Sequence, residues 1–341
     1  MKRVNMADLA QEAGVSIATV DRLLNGRESV RKDTRDRILA AAARIGHPLA
    51  NTLANTTTSM PVLRFGVVLH KQGQDFYKAF AEELHRAVVA ATGVQGQLVL
   101  EFSTSQAPSE MAGHLRSMAG RCDVLAATAV NHPEITAAVE DLAAQGLSVF
   151  SLLSDFAQGA RAGYVGLNNL KVGRTAGWAM ALAAKSPGVM AIFVGGHRWH
   201  GHELRETGFR AYLRECAPHL TVLDALVNLE TRQLTYETTL TLLARQPKLR
   251  GIYVAGGGME GAIAALREAR PEGDLAMVVS ALTGDSRAGL AEGLVTMVTD
   301  TPLEKLCREL IAMMARTFAD GPPQVGTQYF LPPDIHVAES L

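Results

Sequence analysis

Cysteine is scarce in this chain. The three that occur, Cys122, Cys216 and Cys307, stand far apart and have no metal-ligand spacing. A disulfide framework and a cysteine-built zinc site are thereby excluded, and buried thiols in a reducing, cytoplasmic compartment are expected. Long apolar runs are missing as well. No stretch of about 18 apolar residues spans a membrane, and the N-terminus lacks the apolar segment of a signal peptide. Net charge is also missing, at −1 over 341 residues, so the chain as a whole is not a basic nucleic-acid binder. There is no phosphate-binding P-loop and no Ser-His-Asp order, and no cofactor is expected.

What is present is unevenly placed. Residues 1–50 hold nine Lys/Arg against six Asp/Glu, an excess of three positive charges, which leaves an excess of four negative charges on the rest. A basic head on an acidic body fits contact with DNA by one end only. A hydrophobic content of 48% over this length supports two or three domains.

The head reads as helix, tight turn, helix. Asn5 can cap a first helix, with Asp8 three residues on. Met6, Leu9, Ala10 and Ala13 recur at helical spacing, and Gly14 is free to turn where that helix ends. Ser16 caps a second helix whose apolar side is Val20, Leu23 and Leu24, and Gly26 after Asn25 ends it. Residues 31–45 predict a third helix on Ile38, Leu39, Ala42 and Ile45. In a helix-turn-helix the start of the second helix enters the major groove. Ile17, Ala18 and Arg22 are then placed for base edges, and Ser16, Thr19 and Asn25 for phosphates, with Asn5 at the same end of the head.

Spacing alone leaves open a plain helical hairpin. The segments Asp8-Leu9-Ala10, Ala13-Gly14-Val15-Ser16, Thr19-Val20-Asp21-Arg22, Asn25-Gly26 and Thr34-Arg35 resemble the DNA-binding domain of the LacI family of bacterial transcription regulators. Asp21 departs from the Ser usual there. The resemblance implies a hinge over 48–61 that folds on operator DNA and inserts a Leu into the minor groove. Leu53 and Leu49 are the candidates, although the spacing from Pro48 differs from the family's.

From residue 62 buried-type apolar strands alternate with helices, beginning with Leu63–Leu69 and the helix 76–92. This pattern predicts parallel sheets covered on both faces, and its strands are more than one small sheet holds. The expected fold is thus a small all-α head plus an α/β effector domain of two doubly wound parallel sheets. That domain is similar to type I periplasmic sugar-binding proteins, a likeness carried by Phe76-Tyr77, Tyr164–Asn168 and Glu203–Arg210. Domain limits are read as 1–47, 48–61 and 62–341. The first lobe covers 62–157 plus 301–320, and the second 158–300 plus 321–341.

Ligands of open parallel sheets bind beyond the carboxyl ends of the strands. In those loops Asp75, Asp155, Asn168, Arg205 and Asp300 are candidates for ligand hydroxyls. Phe76, Tyr77 and Trp199 offer flat faces, and Gly257 lies in the loop 256–260. The resemblance implies that the aromatic after the first strand, Arg205 and Asp300 face the ligand. Gly256-Gly257-Gly258 stands where sugar-binding relatives often have Asn-Asp, and Ala281-Leu282 where they have Phe-Asp. Gly195-Gly196 before a helix could hold an anion on backbone amides.

The expected function is a homodimeric DNA-binding regulator, a repressor, with a tetramer as the alternative assembly. Its partners are double-stranded operator DNA and a sugar-like effector, with no membrane. Two rivals stand beside it. One is a solute-binding protein of a transport system. The other is a metal-dependent enzyme using the His197–His202 loop.

Overall fold

The computed structural model describes residues 5–25, 30, 32–47, 60–269, 275–323 and 326–341. By its contacts the chain divides into 1–61 and 62–341.

In the head, α1 (Met6–Ala13), α2 (Ile17–Asn25) and α3 (Lys32–Ile45) enclose a small core of Leu9, Ala10, Ala13, Val20, Ile38, Ala41 and Ala42. The start of α1 is a reciprocal cap. Asn5 Oδ1 accepts from the amides of Ala7 and Asp8, and Asp8 Oδ2 accepts from the Asn5 amide. Gly14, at φ 63°, makes the left-handed turn that stops α1. Arg37 of α3 then donates to the carbonyls of Ala13 and Gly14, the orphan acceptors of that helix end. Ala41, rather than Leu39, completes the inner stripe of α3.

The larger unit is built on two sheets. The first contains β1 (Val62–His70), β2 (Gln95–Ser103), β3 (Val124–Ala127), β4 (Val149–Leu152), β5 (Gly163–Leu167) and β12 (Thr327–Leu331). They lie in the order β12-β5-β4-β3-β1-β2, every pair parallel. Helices α4 (Asp75–Val89) and α12 (Leu303–Asp320) cover one face, and α5 (Pro108–Ser117) and α6 (Pro133–Ala144) the other. In β1, Leu63, Phe65, Val67, Val68 and Leu69 are all buried, as a central parallel strand requires. Each such side chain contributes about 1.5–3 kcal/mol on burial.

The second sheet holds β6 (Gly188–Val194), β7 (Leu220–Val222), β9 (Leu249–Val254), β10 (Ala276–Ser280), β11 (Met297–Asp300) and β13 (Asp334–His336), ordered β13-β11-β10-β9-β6-β7. The short β8 (Leu226–Val227) also pairs with β6, so this edge of β6 is covered by two short strand pieces. Around this sheet lie α7 (Asn169–Ala183), α8 (His200–Cys216), α9 (Arg232–Arg245), α10 (Met259–Ala269) and α11 (Gly284–Ala291).

The lobe limits differ from those read in the sequence. β5 pairs with β4, so the chain leaves the first lobe after Leu167, not near residue 158. β12 pairs with β5, which returns residues 327–331 to the first lobe, and β13 then joins β11 antiparallel in the second. A short strand closing a sheet edge carries little periodicity, so these pairings depend on the tertiary fold.

Candidate effector cleft and DNA-reading helix

Between the two lobes of the larger unit the strand-end loops line a cleft that holds a cavity of about 100 Å³. Several of these loops carry non-glycine residues at positive φ: Lys71 after β1, Leu153 after β4, Leu229 and Glu230 after β8, and Ala281 after β10. Backbone held in this region costs of order 1–3 kcal/mol per residue and clusters at functional sites.

Phe76 and Tyr77 line the cleft from the first turn of α4, with ring centroids 5.2 Å apart and planes near perpendicular. Trp199 lines it from the loop before α8. Arg205 faces it from α8, fixed by three bonds: Nε donates to Asn169 Oδ1 at 2.8 Å, and Nη1 to Ala255 O at 2.7 Å and Ser280 Oγ at 3.1 Å. Gly257 also lines the cleft.

Four other sequence candidates do not. Asp75 turns outward at the start of α4, its side chain 72% exposed and 3.0 Å from Lys78 Nζ. Asp155 is buried against Arg161 in a bidentate pair and accepts from Ser151 Oγ. Asn168 caps α7 by accepting from the Lys171 amide. Its neighbour Asn169, one helical position on, turns inward to Leu153 O, Tyr164 and Arg205. Asp300 accepts from the amides of Leu282 and Thr301, which occupies it at the strand end.

Sequence reasoning missed Gln74, Asn169 and Glu230 and named His202 only within the His197–His202 loop; all four lie on the cleft wall. Glu230 Oε1 accepts from the Gly257 amide at 3.2 Å and lies 3.6 Å from His202 Nε2. The other oxygen, Oε2, lies 3.8 Å from Lys71 Nζ and has no hydrogen-bond partner among the described residues. Burial pushes the Glu230 carboxyl up, but His202, Lys71 and the Gly257 amide outweigh it and hold it below the usual range. His202 Nδ1 accepts from the Gly195 amide, which puts the proton of the neutral ring on Nε2, toward Glu230. Burial lowers its pKa to about 4. Gly195, the expected anion cradle, therefore spends its amide on an imidazole.

The three histidines of the 197–202 stretch diverge. His197 is exposed, His200 lies 3.4 Å from Glu203, and His202 points into the cleft. No group of three or more His, Cys, Asp or Glu suited to a metal occurs among the described residues. Cys122 and Cys307 are buried as expected, but Cys216 is exposed.

In the head, Ser16 Oγ accepts from the Thr19 amide and lies 2.8 Å from Thr19 Oγ1, capping α2. Ser16, Ile17, Ala18 and Arg22 are exposed, Ile17 by 52%, and Thr19 is half-buried. Asn5 is exposed, with its side chain engaged in the α1 cap. The side chain of Asn25, the wedge candidates Leu49 and Leu53, and the hinge from 48 to 59 lie outside the described residues. No described helix is long and apolar enough to cross a membrane.

The chain thus pairs a small helix-turn-helix head with a two-lobed α/β domain that carries a cleft. Residues 65–321 match the periplasmic binding protein domain family and residues 5–47 the bacterial regulatory proteins of the lacI family. The chain belongs to the periplasmic binding protein domain family and carries a lacI-family head. It is similar to the HTH-type transcriptional regulator pepR1 of Lactobacillus delbrueckii subsp. lactis, 39% identical over 66 residues, 19% of this chain and 20% of that one. Catabolite control protein A of Priestia megaterium is 31% identical over 109 residues, 32% of this chain and 31% of its own. The chain thus matches a fifth to a third of the length of these relatives. The fold is similar to that of GanP, a glucose-galactose binding protein from Geobacillus stearothermophilus, with TM-score 0.72 and 17% identity over 82% of this chain and 99% of that one.

Proposed function

We propose that the protein is a DNA-binding transcriptional regulator, a repressor, controlled by a small sugar-like molecule bound between its two lobes. The observation that carries this reading is the union, in one chain, of a lacI-family head with a complete two-lobed domain whose cleft has a built polar wall. A transport protein has no use for the head, and the divergence of His197, His200 and His202 removes the feature that favoured metal-dependent catalysis. The regulated partner is double-stranded operator DNA, read by two heads of a cytoplasmic homodimer on a near-palindromic site. The domains act as 1–47 for DNA, 48–61 as hinge and 62–341 for effector. The effector must bind two lobe arrangements unequally to change operator affinity.

In the test, the full chain selects duplexes from a random pool, and the winners are measured with and without sugars. Enrichment of a two-fold symmetric motif, with affinity altered by a sugar, is expected. Selected duplexes bound no tighter than the starting pool would end the regulator reading.

A further inference from the structure

Resting on the effector reading of this cleft, we propose that Glu230, braced by His202, sets ligand specificity, selecting an uncharged polyhydroxyl ligand and turning away sugar acids and sugar phosphates. The glycines that look like an anion cradle are spaces cut for this pair. A Cβ on Gly256 would lie 2.5 Å from the His202 ring and 3.0 Å from Glu230 Oε1. A Cβ on Gly195 would lie 2.6 Å from Glu230 Cγ and 3.0 Å from the same ring. One amide of each loop is used within the protein, Gly195 N–H by His202 Nδ1 and Gly257 N–H by Glu230 Oε1. An incoming carboxylate or phosphate would find these donors taken and an ionised carboxylate in their place.

A hydroxyl finds the opposite. Glu230 is 7% exposed, and its Oε2 has no hydrogen-bond partner among the described residues. Thr128, also on the cleft wall, has its Oγ1 in the same condition. A buried acceptor without a donor is costly, and a ligand O–H is the group that relieves it. Lys71 Nζ, 3.8 Å from Oε2, already balances the carboxylate charge, so a neutral ligand completes the site without adding a charge. Glu230 also supplies polarity near Gly256–Gly258, where the strand-end loop has no polar side chain of its own.

The test uses the full chain and matched probes: glucose with glucuronate, galactose with galacturonate, and ribose with ribose 5-phosphate. Thermal shift finds responders, and titration calorimetry ranks each pair. The expected result is a neutral member that binds, an anionic partner at least tenfold weaker, and a ratio that narrows several-fold in Glu230→Gln. A purely structural role for Glu230 would lower both affinities and leave the ratio unchanged, which overturns the proposal. Wild-type preference for the acid or phosphate also overturns it, while the effector reading of the cleft survives. That outcome decides the ligand class even if Glu230→Gln does not fold. No response to any probe at millimolar concentration removes the sugar-effector reading itself, and this proposal with it.

Discussion

Trp199 Nε1 donates to Gln106 Oε1 at 3.1 Å, tying a loop of the second lobe to the first. The indole is 4% exposed and packs among first-lobe residues of the α5 and α6 layer. Nearby, the Asn131 amide donates to Arg198 O and the Gly201 amide to Ser154 Oγ. From the other side, Lys71 Nζ and Gln74 Nε2 donate to Glu230 O. These bonds span the cleft, so Trp199 is placed to report any change in the lobe arrangement. The other tryptophan, Trp178, is 47% exposed on α7. Trp178→Phe is expected to keep any ligand-dependent change in tryptophan emission, and Trp199→Phe to abolish it. A change surviving in Trp199→Phe alone would show that closure does not move this loop.

Asp155 separates a structural carboxylate from a ligand-binding one. Arg161 grips it through Nε at 2.5 Å and Nη2 at 2.7 Å, with side chains only 2% and 7% exposed. Removing one partner leaves a buried charge unpaired, at a cost of about 3–5 kcal/mol. Asp155→Ala is expected to lower the unfolding free energy by that order while leaving ligand affinity within about threefold, roughly 0.6 kcal/mol. Chemical denaturation and calorimetry check the two halves separately.

His202 gives the larger unit a pH dependence of known sign. The folded pKa is about 4 against 6.5 unperturbed, because burial disfavours the charged ring. Between these values the unfolded chain binds more protons than the native one, so stability rises with pH. The contribution is fully present above pH 6.5 and lost as pH falls to about 4, an amount on the order of 3 kcal/mol. Glu260 and Asp300, raised by burial, act in the opposite sense near the acid end. The comparison is therefore between variants. His202→Gln is expected to flatten the melting temperature between pH 6.5 and 4.5 relative to the unmodified chain, and parallel curves would exclude His202 as the source.

Much of the architecture is legible in the sequence because it rests on local physics. The Asn5–Asp8 cap, the Gly14 turn and the apolar run of β1 each follow from a few adjacent residues. The ring of loops follows from strand order, which brings Phe76, Tyr77, Trp199 and Arg205 to one place. The lost parts depend on register and distance. Asn168 and Asn169 are one residue apart, and only the helix phase decides which caps and which faces Arg205. Glu230 sits in a polar loop after β8, and its neighbours in sequence do not mark it as buried. Its burial arises from Gly195 and Gly256, distant in sequence, which leave room for it. The sequence treats His197–His202 as one loop, whereas α8 begins at His200 and carries His202 in its first turn.

Arg22 offers the sharpest test of the head. It is exposed near the end of α2, one turn beyond Ile17 and Ala18. The helix start is held by the Ser16 cap, where Ser16 Oγ accepts from the Thr19 amide. Loss of a good bidentate contact to a base weakens discrimination by about 1–3 kcal/mol, whereas loss of a phosphate contact weakens all sequences alike. Arg22→Ala is therefore expected to reduce the affinity ratio between selected and random duplexes by roughly 5- to 150-fold, with a small change in random-sequence binding. Titration against both duplexes at several salt concentrations separates the outcomes. A uniform loss with a shallower salt slope would assign Arg22 to a phosphate and leave base reading to Ile17 and Ala18.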